Sequence, residues 1–217
     1  MKKVNLKTVR LFMLFSVIAL SLLFVDQLTK LLAHYFLMKA EGAPRVVVLI
    51  PGFFSLLYTE NDSIAFGIGS GNQTFMVCIM VLTVVLAIGI GVLIFTVFKK
   101  TRAAQIALCV IEAGAIGNFL DRLTAPTTKG VPIVRDFLDF SAFKPLSWAG
   151  SNFNFGICNV ADLFIVFGAI ALLIVILFIG PHAVFPATKK WREESKVLEE
   201  EKEQRKREKH GSKKDRS

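Results

Sequence analysis

Four long apolar segments constrain the fold of this chain more than any other feature. They cover approximately residues 11–33, 75–98, 103–122 and 160–180. A helix needs about 20 apolar residues to cross the hydrocarbon core of a bilayer. Because that core offers no water to the backbone, segments of this length fold as helices. We therefore predict an all-α membrane protein with four transmembrane helices.

The distribution of positive charge predicts how the helices are oriented. The formal net charge is +9, and the basic residues form clusters before the first helix, between the second and third, and after the fourth. Four crossings bring these clusters to one side, as the positive-inside rule requires. We therefore expect both termini in the cytoplasm and the connections 34–74 and 123–159 outside. This arrangement favours a membrane protein over a nucleic-acid-binding one.

The N-terminal segment has the basic start and apolar stretch of a signal peptide. Its apolar run continues through Asp26 to Leu32, and no convincing small-x-small cleavage site follows it. Such a site is expected in a cleaved leader. We therefore predict that this segment is retained as the first membrane helix.

Two segments outside the four helices have a distinct composition. Residues 45–58 are β-branched and aromatic around Pro51 and Gly52, which predicts two short strands and a turn within an outer β segment of about 44–60. Residues 188–217 mix Lys, Arg and Glu with few apolar residues. We expect them to form a charged cytoplasmic tail, disordered or a solvated helix, after a membrane domain of residues 1–187.

Ionisable residues inside membrane helices are costly and therefore candidates for function. Asp26 and Lys30 lie four residues apart in the first helix, on one face. A structural role for Asp26 is as well supported by this spacing as a catalytic one. Glu112 lies deep in the third helix, and we expect it to face the bundle interior and make a structural hydrogen bond.

The ends of the third and fourth helices carry further polar residues. Asn118, Asp121 and Arg122 share the end of the third helix, where a cap with a surface ion pair is the simplest interpretation. Asp162 lies in the first turn of the fourth, where the helix dipole favours an acid. Together with Asp136 of the preceding connection, however, these acids gather at the outer membrane interface.

The residue types that accompany these acids limit the reactions that the acids could catalyse. The three histidines are isolated from one another, so we expect no metal site and no cofactor. A serine nucleophile would need a base, and no histidine is placed to act as one. Two carboxylates without a metal can instead share one proton, as in the aspartic peptidases, and activate water between them.

Five motifs, in order along the chain, resemble those of the lipoprotein signal peptidase family, the type II signal peptidases of bacteria. They are Asp26-Gln27-x-Thr29-Lys30, Asn61-x-x-x-Ala65-Phe66, Gly117-Asn118-x-x-Asp121-Arg122, Val134-Arg135-Asp136-Phe137 and Asn159-Val160-Ala161-Asp162. The third and fifth are moderately specific alone. The ordered set, which spans about residues 26–168, carries the resemblance.

The resemblance implies an aspartic endopeptidase of the bacterial inner membrane with its active site at the extracytoplasmic face. Its catalytic pair would be Asp136 and Asp162. The supporting and substrate-binding residues would be Asn61, Asn118, Asp121, Arg122, Asn159 and Asp26. The substrate would be a prolipoprotein with diacylglycerol on its cysteine, cleaved on the amino side of that cysteine. We expect a monomer whose other partners are membrane lipids.

Three departures from the family pattern concern the site. Ser63 stands where a glycine is usual, and Cys158 replaces an aromatic residue before Asn159. Arg135 precedes Asp136, and Asp139-Phe140 also fits the Asp-Phe pattern, so Asp139 is a second candidate for the catalytic acid.

Two other functions are compatible with acids in a membrane bundle. One is a small proton- or ion-coupled carrier, although the chain lacks the internal repeat that is typical of such transporters. The other is a non-catalytic scaffold in which the acids only pair with Lys30, Arg122 and Arg135.

Overall fold

The computed structural model describes residues 6–38, 45–64, 68–96, 101–142, 156–180, 183–185 and 187–214. The elements in these residues are α1 (Leu6–Leu37), β1 (Val46–Ile50), β2 (Phe54–Asn61), α2 (Gln73–Phe95), α3 (Arg102–Thr124), β3 (Val134–Asp139), β4 (Ile157–Cys158), α4 (Val160–Phe178) and α5 (Lys189–Lys214). Helices α1 to α4 are long and apolar enough to cross a membrane. The predicted fold class is confirmed, with α1 longer at both ends than the apolar segment that predicted it.

Helix α3 is the centre of the bundle and packs against α1, α2 and α4. Glycine makes the contact with α4 possible. A Cβ at Gly114 would lie 2.5 Å from the carbonyl oxygen of Ala161, and one at Gly168 would lie 2.8 Å from Ile111. Helices α3 and α4 therefore approach closely at these glycines, where the structure leaves no room for a larger residue.

The four strands form one antiparallel sheet in the order β1-β2-β3-β4. The predicted pair of strands is confirmed as β1 and β2, joined by a turn in which Gly52 has φ of 73°. Only glycine adopts this backbone conformation without strain. Strands β3 and β4 lie outside the predicted β segment, so that segment accounts for only half of the sheet.

The sheet packs on the end of α1. Tyr58 of β2 and Phe137 of β3 form a buried cluster with Ala33 and Leu37 of α1. His34 and Tyr58 also share a hydrogen bond of 3.0 Å between Nδ1 and the hydroxyl oxygen. We call this end of the bundle, where α1 and α3 finish and α4 begins, the sheet end.

Some predictions fall outside the described residues. They concern Ala65 and Phe66 of the second motif, the connection 143–155, and the basic residues Lys2, Lys3, Lys99 and Lys100. The charged tail was predicted to be either disordered or helical, and the structure has a helix over Lys189–Lys214.

Candidate active site

Helix α4 begins with a capping box formed by Asn159 and Asp162. Asn159 Oδ1 accepts a hydrogen bond from the backbone N–H of Asp162 at 3.1 Å, and Asp162 Oδ2 accepts one from the backbone N–H of Asn159 at 3.0 Å. This reciprocal pair satisfies two N–H groups that the first turn of a helix leaves unpaired. The other carboxylate oxygen of Asp162 accepts from Asn118 Nδ2 at 2.8 Å. Three hydrogen bonds, one donated by the Asp162 backbone and two accepted by its carboxylate, therefore fix Asp162 at the sheet end.

Asp136 of β3 is held by two asparagine side chains. Its side chain is buried, and Asn61 Nδ2 donates to Oδ2 at 2.7 Å while Asn159 Nδ2 donates to Oδ1 at 2.6 Å. Asn61 lies two residues beyond Thr59, the partner of Asp136 in the β2–β3 register. Asn61 and Asp136 are therefore diagonal neighbours on one face of the sheet.

Ser63 fixes the orientation of the Asn61 amide. The Ser63 backbone N–H and hydroxyl both donate to Asn61 Oδ1, at 3.0 and 2.7 Å. Because these donors occupy the amide oxygen, the amide nitrogen is the group that faces Asp136. The serine that departs from the family pattern thus takes part in holding the site, a role that the sequence did not reveal.

The structure brings together the two acids that the last two motifs singled out. Asn159 is fully buried and contacts both Asp136 and Asp162 through its side chain and backbone. Asn61, Asn118 and Asn159 each donate a side-chain hydrogen bond to one of these two carboxyl groups. The three asparagines of the family motifs are therefore neighbours of the acid pair, while their roles in support and substrate binding stay a prediction.

The environment of Asp136 favours its protonated form. Burial is the largest influence and, with the negative charge of Asp162, raises the pKa of Asp136 from 3.8 to about 7. Hydrogen bonds from Asn159 and Asn61 act in the opposite direction, because they stabilise the charged form. A carboxylic acid is thus available to donate a proton near neutral pH.

A buried ion pair in α1 supports the start of α4. Lys30 Nζ lies 3.0 Å from Asp26 Oδ2 and 3.5 Å from Asp121 Oδ2, and all three side chains are fully buried. Lys30 also donates to Asn118 Oδ1 at 2.9 Å, and Asp26 Oδ1 accepts from the backbone N–H of Ala161 at 2.9 Å. These contacts favour a supporting role for Asp26 rather than a catalytic one.

Asp121 joins β3 to the helices through Arg135. The Arg135 backbone N–H donates to Asp121 Oδ2 at 2.8 Å, and Nη2 donates to Oδ1 at 2.7 Å. Gln27 completes the group, accepting from Arg135 Nη2 at 3.1 Å and donating to Asp121 Oδ1 at 3.1 Å. The surface ion pair that was the simplest interpretation of Asp121 is wrong, since its carboxylate is buried and paired with Arg135. Gln27 had no role in the sequence analysis, although it lies next to Asp26 in the first motif.

Arg122 is incompletely paired. Its guanidinium makes two long contacts of 3.4 Å, to the backbone oxygens of Asn118 and Ser63. Its Nε is buried and has no hydrogen-bond partner within the described residues. An unpaired buried donor is costly. The guanidinium thus contacts the backbone of Asn118, the residue whose side chain binds Asp162.

Asp139 lies apart from the pair. Three positions separate it from Asp136 on β3, so the two side chains point to opposite faces of the strand. The Asp139 carboxylate accepts from Ser55 Oγ at 2.8 Å and from the Ser141 backbone N–H at 2.9 Å. Burial raises the pKa of Asp139, but the bonds from Ser141 and Ser55 outweigh it, and the pKa lies below its ordinary value.

Cys158 lies in β4, immediately before the helix cap. Burial, followed by the charges of Asp162 and Asp136, raises the pKa of its thiol to about 12. A nucleophilic cysteine needs the opposite shift, because the thiolate is the reactive form. The site is therefore unsuited to cysteine-peptidase chemistry.

Glu112 of α3 faces α2, where a Cβ at Gly91 would lie 3.9 Å from its Oε1. It is half-buried, in agreement with the expected interior position. In the part of the chain that the structure describes, its carboxylate has no hydrogen bond, so the expected structural hydrogen bond is not found.

The family model for signal peptidase (SPase) II matches residues 18–178. The chain is 33% identical to the lipoprotein signal peptidase of Chlorobium luteolum over 181 residues, covering 82% of this chain and 97% of that protein. It is 36% identical to the lipoprotein signal peptidase of Caldanaerobacter subterraneus over 166 residues, covering 76% of this chain and 96% of that protein.

A solved structure supports the same relationship. A bacterial membrane enzyme determined by the in meso method at 2.3 Å resolution superposes with a TM-score of 0.60 at 28% identity, covering 75% of this chain and 87% of that one. The region matched by the family model, residues 18–178, contains both acids of the pair and all of the four membrane helices except the first turns of α1. The chain therefore belongs to the signal peptidase II family, and it is a multi-pass membrane protease.

Proposed function

We propose that this chain is an aspartic endopeptidase that removes signal peptides from prolipoproteins, with Asp136 and Asp162 as its catalytic acids. The observation that carries the proposal is Asn159, whose side-chain amide donates to the Asp136 carboxyl group and whose backbone N–H donates to the Asp162 carboxyl group. Asn61 and Asn118 hold the remaining oxygens. Such an arrangement holds two carboxyl groups side by side, the minimum that aspartic-peptidase chemistry requires.

In the proposed reaction, the two acids divide the work of proton transfer. Asp162, in the first turn of α4, acts as the base and takes a proton from a water molecule. The water oxygen bonds to the scissile carbonyl carbon while Asp136, raised in pKa by burial, donates its proton to the carbonyl oxygen. When the tetrahedral intermediate collapses, the C–N bond breaks and the proton taken from water passes to the leaving nitrogen. Asp136 recovers its proton from the intermediate's hydroxyl.

Arg122 is placed to bind the substrate near the reacting bond. Its Nε is a buried donor without a partner among the described residues, and its guanidinium contacts the backbone of Asn118, which binds Asp162. A peptide or ester carbonyl would satisfy it. We therefore assign Arg122 to substrate binding, and Asp26 and Asp121 to support of the acid pair through Lys30 and Arg135.

The proposed substrate carries diacylglycerol on its cysteine and is cleaved on the amino side of that residue. The acid pair lies at the sheet end, whereas Arg10 near the start of α1, Arg102 at the start of α3 and Lys189 after α4 lie at the opposite ends of their helices. The positive-inside rule then places the sheet end at the extracytoplasmic face of the inner membrane and both termini in the cytoplasm. We further propose that residues 1–187 form the peptidase and act as a monomer.

The test is a cleavage assay with the purified chain and two forms of one precursor, with and without diacylglycerol on the cysteine. We expect cleavage of the modified form only, and mass spectrometry should place the new N-terminus at that cysteine. Failure to cleave either form, together with ion or solute uptake by vesicles that contain the chain, would overturn the proposal in favour of a carrier.

A further inference from the structure

The chain turns back on itself after α4. The backbone N–H of Val184 donates to the carbonyl of Ile176 at 3.1 Å, and that of Phe185 donates to the carbonyl of Leu177 at 2.7 Å. These bonds satisfy carbonyl groups that the last turn of a helix leaves unpaired. The side chains of Val184 and Phe185 remain exposed. The return therefore keeps the start of α5 close to the end of a membrane helix.

One face of α5 differs in composition from the others. Successive spacings of four, three, four, three and four residues join Trp191, Ser195, Leu198, Lys202, Arg205 and Lys209. At 3.6 residues a turn, these positions lie within roughly 40° of Trp191 around the helix. Between positions 189 and 200, Trp191, Ser195 and Leu198 are half-buried and all other residues are exposed. We call these six positions the α5 stripe.

The stripe contains no acid, although α5 is rich in glutamate. Among the acids near its basic half, Glu200 and Glu203 fall on other faces of the helix, whereas Glu201 and Glu208 border the stripe, four residues before and three residues after Arg205. Beyond the glutamate-rich part, residues 205–217 contain seven basic residues and two acidic ones. The stripe thus begins with an aromatic and an aliphatic residue near the membrane helix and continues with basic residues.

We propose that the α5 stripe binds an anionic lipid surface at the end of α4. Trp191 and Leu198 would enter the headgroup region, and Lys202, Arg205 and Lys209 would contact lipid phosphates. Charge complementarity favours this partner over a second copy of the chain. Two copies that met through the stripe in parallel would place like charges opposite each other at its three basic positions, and two antiparallel copies would place basic side chains against the apolar half.

The emission of Trp191 reports on this contact in the full-length protein. The chain has two tryptophans, so a Trp148→Phe background leaves Trp191 as the only one. We would reconstitute this protein in nanodiscs of phosphatidylcholine, alone or mixed with phosphatidylglycerol. We expect a shift of the emission to shorter wavelength and reduced quenching by acrylamide in the anionic discs, both reversed by high salt.

Two triple variants separate a specific face from a general attraction of charges. K202Q/R205Q/K209Q removes three positive charges from the stripe, and K196Q/R207Q/K214Q removes three from the opposite face. We expect the first to lose the effect of phosphatidylglycerol and the second to retain it. Equal losses in both, no difference between the lipids, or shielding of Trp191 that depends on protein concentration in detergent would each overturn the proposal.

Discussion

Asn159 Nδ2 donates a hydrogen bond of 2.6 Å to Asp136 Oδ1, while the Asn159 backbone N–H donates to Asp162 at 3.0 Å. One residue thus fixes an acid on β3 and an acid on α4. Asn159 is also the N-cap of α4, so the start of this helix and the spacing of the acid pair depend on the same side chain. The position of the pair is therefore coupled to the folding of α4.

Substitution of Asn159 by Ala should lower the rate of cleavage and shift its pH dependence. The bond from Asn159 lowers the pKa of Asp136, so its loss raises that pKa further. If Asp136 must be protonated, the basic limb of the kcat/KM profile moves to higher pH. A hydrogen bond between neutral groups contributes about 0.5–1.5 kcal/mol, so we expect a loss in rate of about 2- to 10-fold.

Asn72→Ala is the matched control for the lost cap. Asn72 is the N-cap of α2 and accepts from the Phe75 backbone N–H at 2.9 Å. Loss of either cap should cost about 1 kcal/mol of stability. The N72A profile should keep the wild-type pH dependence. An equal shift of the kcat/KM pH profile in N159A and N72A would contradict the role of Asn159 at the acid pair.

The Asp136→Asn variant should become more stable relative to the wild type as the pH rises from 5 to 8. Because the pKa of Asp136 is raised to about 7, the folded protein retains a proton that the unfolded chain releases above about pH 4. Where the folded state binds more protons, the free energy of unfolding decreases with rising pH. The asparagine variant lacks this penalty. Thermal unfolding in detergent at several pH values measures the difference.

Asp139→Asn should show the opposite trend. The pKa of Asp139 lies below its ordinary value, because the bonds from Ser141 and Ser55 outweigh the effect of burial. Its ionised form therefore contributes stability above about pH 4 that is lost as the pH falls. D139N should be less stable than the wild type at neutral pH, by an amount that shrinks on acidification. The same trend for D136N and D139N would contradict the environment assigned to Asp136.

Removal of Arg135 should destabilise the protein strongly, and removal of its partner should recover part of the loss. Arg135 and Asp121 are buried at a distance of 2.7 Å, so Arg135→Met leaves an acid without its main partner. Breaking such a pair costs about 3–5 kcal/mol, whereas replacing both members often costs much less. We expect the free energy of unfolding to be highest for the wild type, lower for D121N/R135M and lowest for R135M.

Lys129→Met provides the comparison at the surface. Lys129 lies 2.6 Å from Asp62, but its side chain is 41% exposed. Exposed pairs contribute about 0–1 kcal/mol. If K129M lost as much free energy of unfolding as R135M, burial would not determine how strongly the Arg135–Asp121 pair stabilises the protein.

Gly114→Ala should disturb the contact between α3 and α4 that carries Asp162. The added Cβ would lie 2.5 Å from the carbonyl oxygen of Ala161, so a backbone must move. Overpacking of this kind costs about 1–3 kcal/mol. Gly89→Ala on α2 is the control, because its Cβ would have nothing within 4 Å. Unfolding temperatures and cleavage rates should both decrease in G114A and neither should decrease in G89A.

The helices could be predicted from the sequence because membrane spans depend on local composition alone. The sheet could be predicted only in part. All residues of Val134–Asp139 except Leu138 are buried, so this strand shows no alternation of apolar and polar residues. Its partner β2 is distant in sequence, with 75 positions between Asn61 and Asp136. Strand pairing over such a distance leaves no local signal.

The acids and asparagines of the site could be predicted because their order along the chain matches the family motifs. The residues that orient them could not. Ser63 was visible only as a departure from the pattern, and Arg135 only as a departure and as a general ion-pair partner in the scaffold alternative, since their contacts with Asn61 and Asp121 are created by the fold. The same residue types on an exposed loop would have no such function.

Cleavage of a diacylglyceryl-modified precursor by D136N, D162N and D139N tests the proposed acid pair most directly. Each substitution replaces a carboxyl group by an amide of nearly the same shape. We expect D136N and D162N to retain the wild-type fold and lose cleavage, because an amide neither accepts the proton of water nor donates the proton of a carboxylic acid. D139N should cleave at close to the wild-type rate. Full cleavage by D136N or D162N, or loss of cleavage in D139N alone, would contradict the assignment of Asp136 and Asp162 as the catalytic acids.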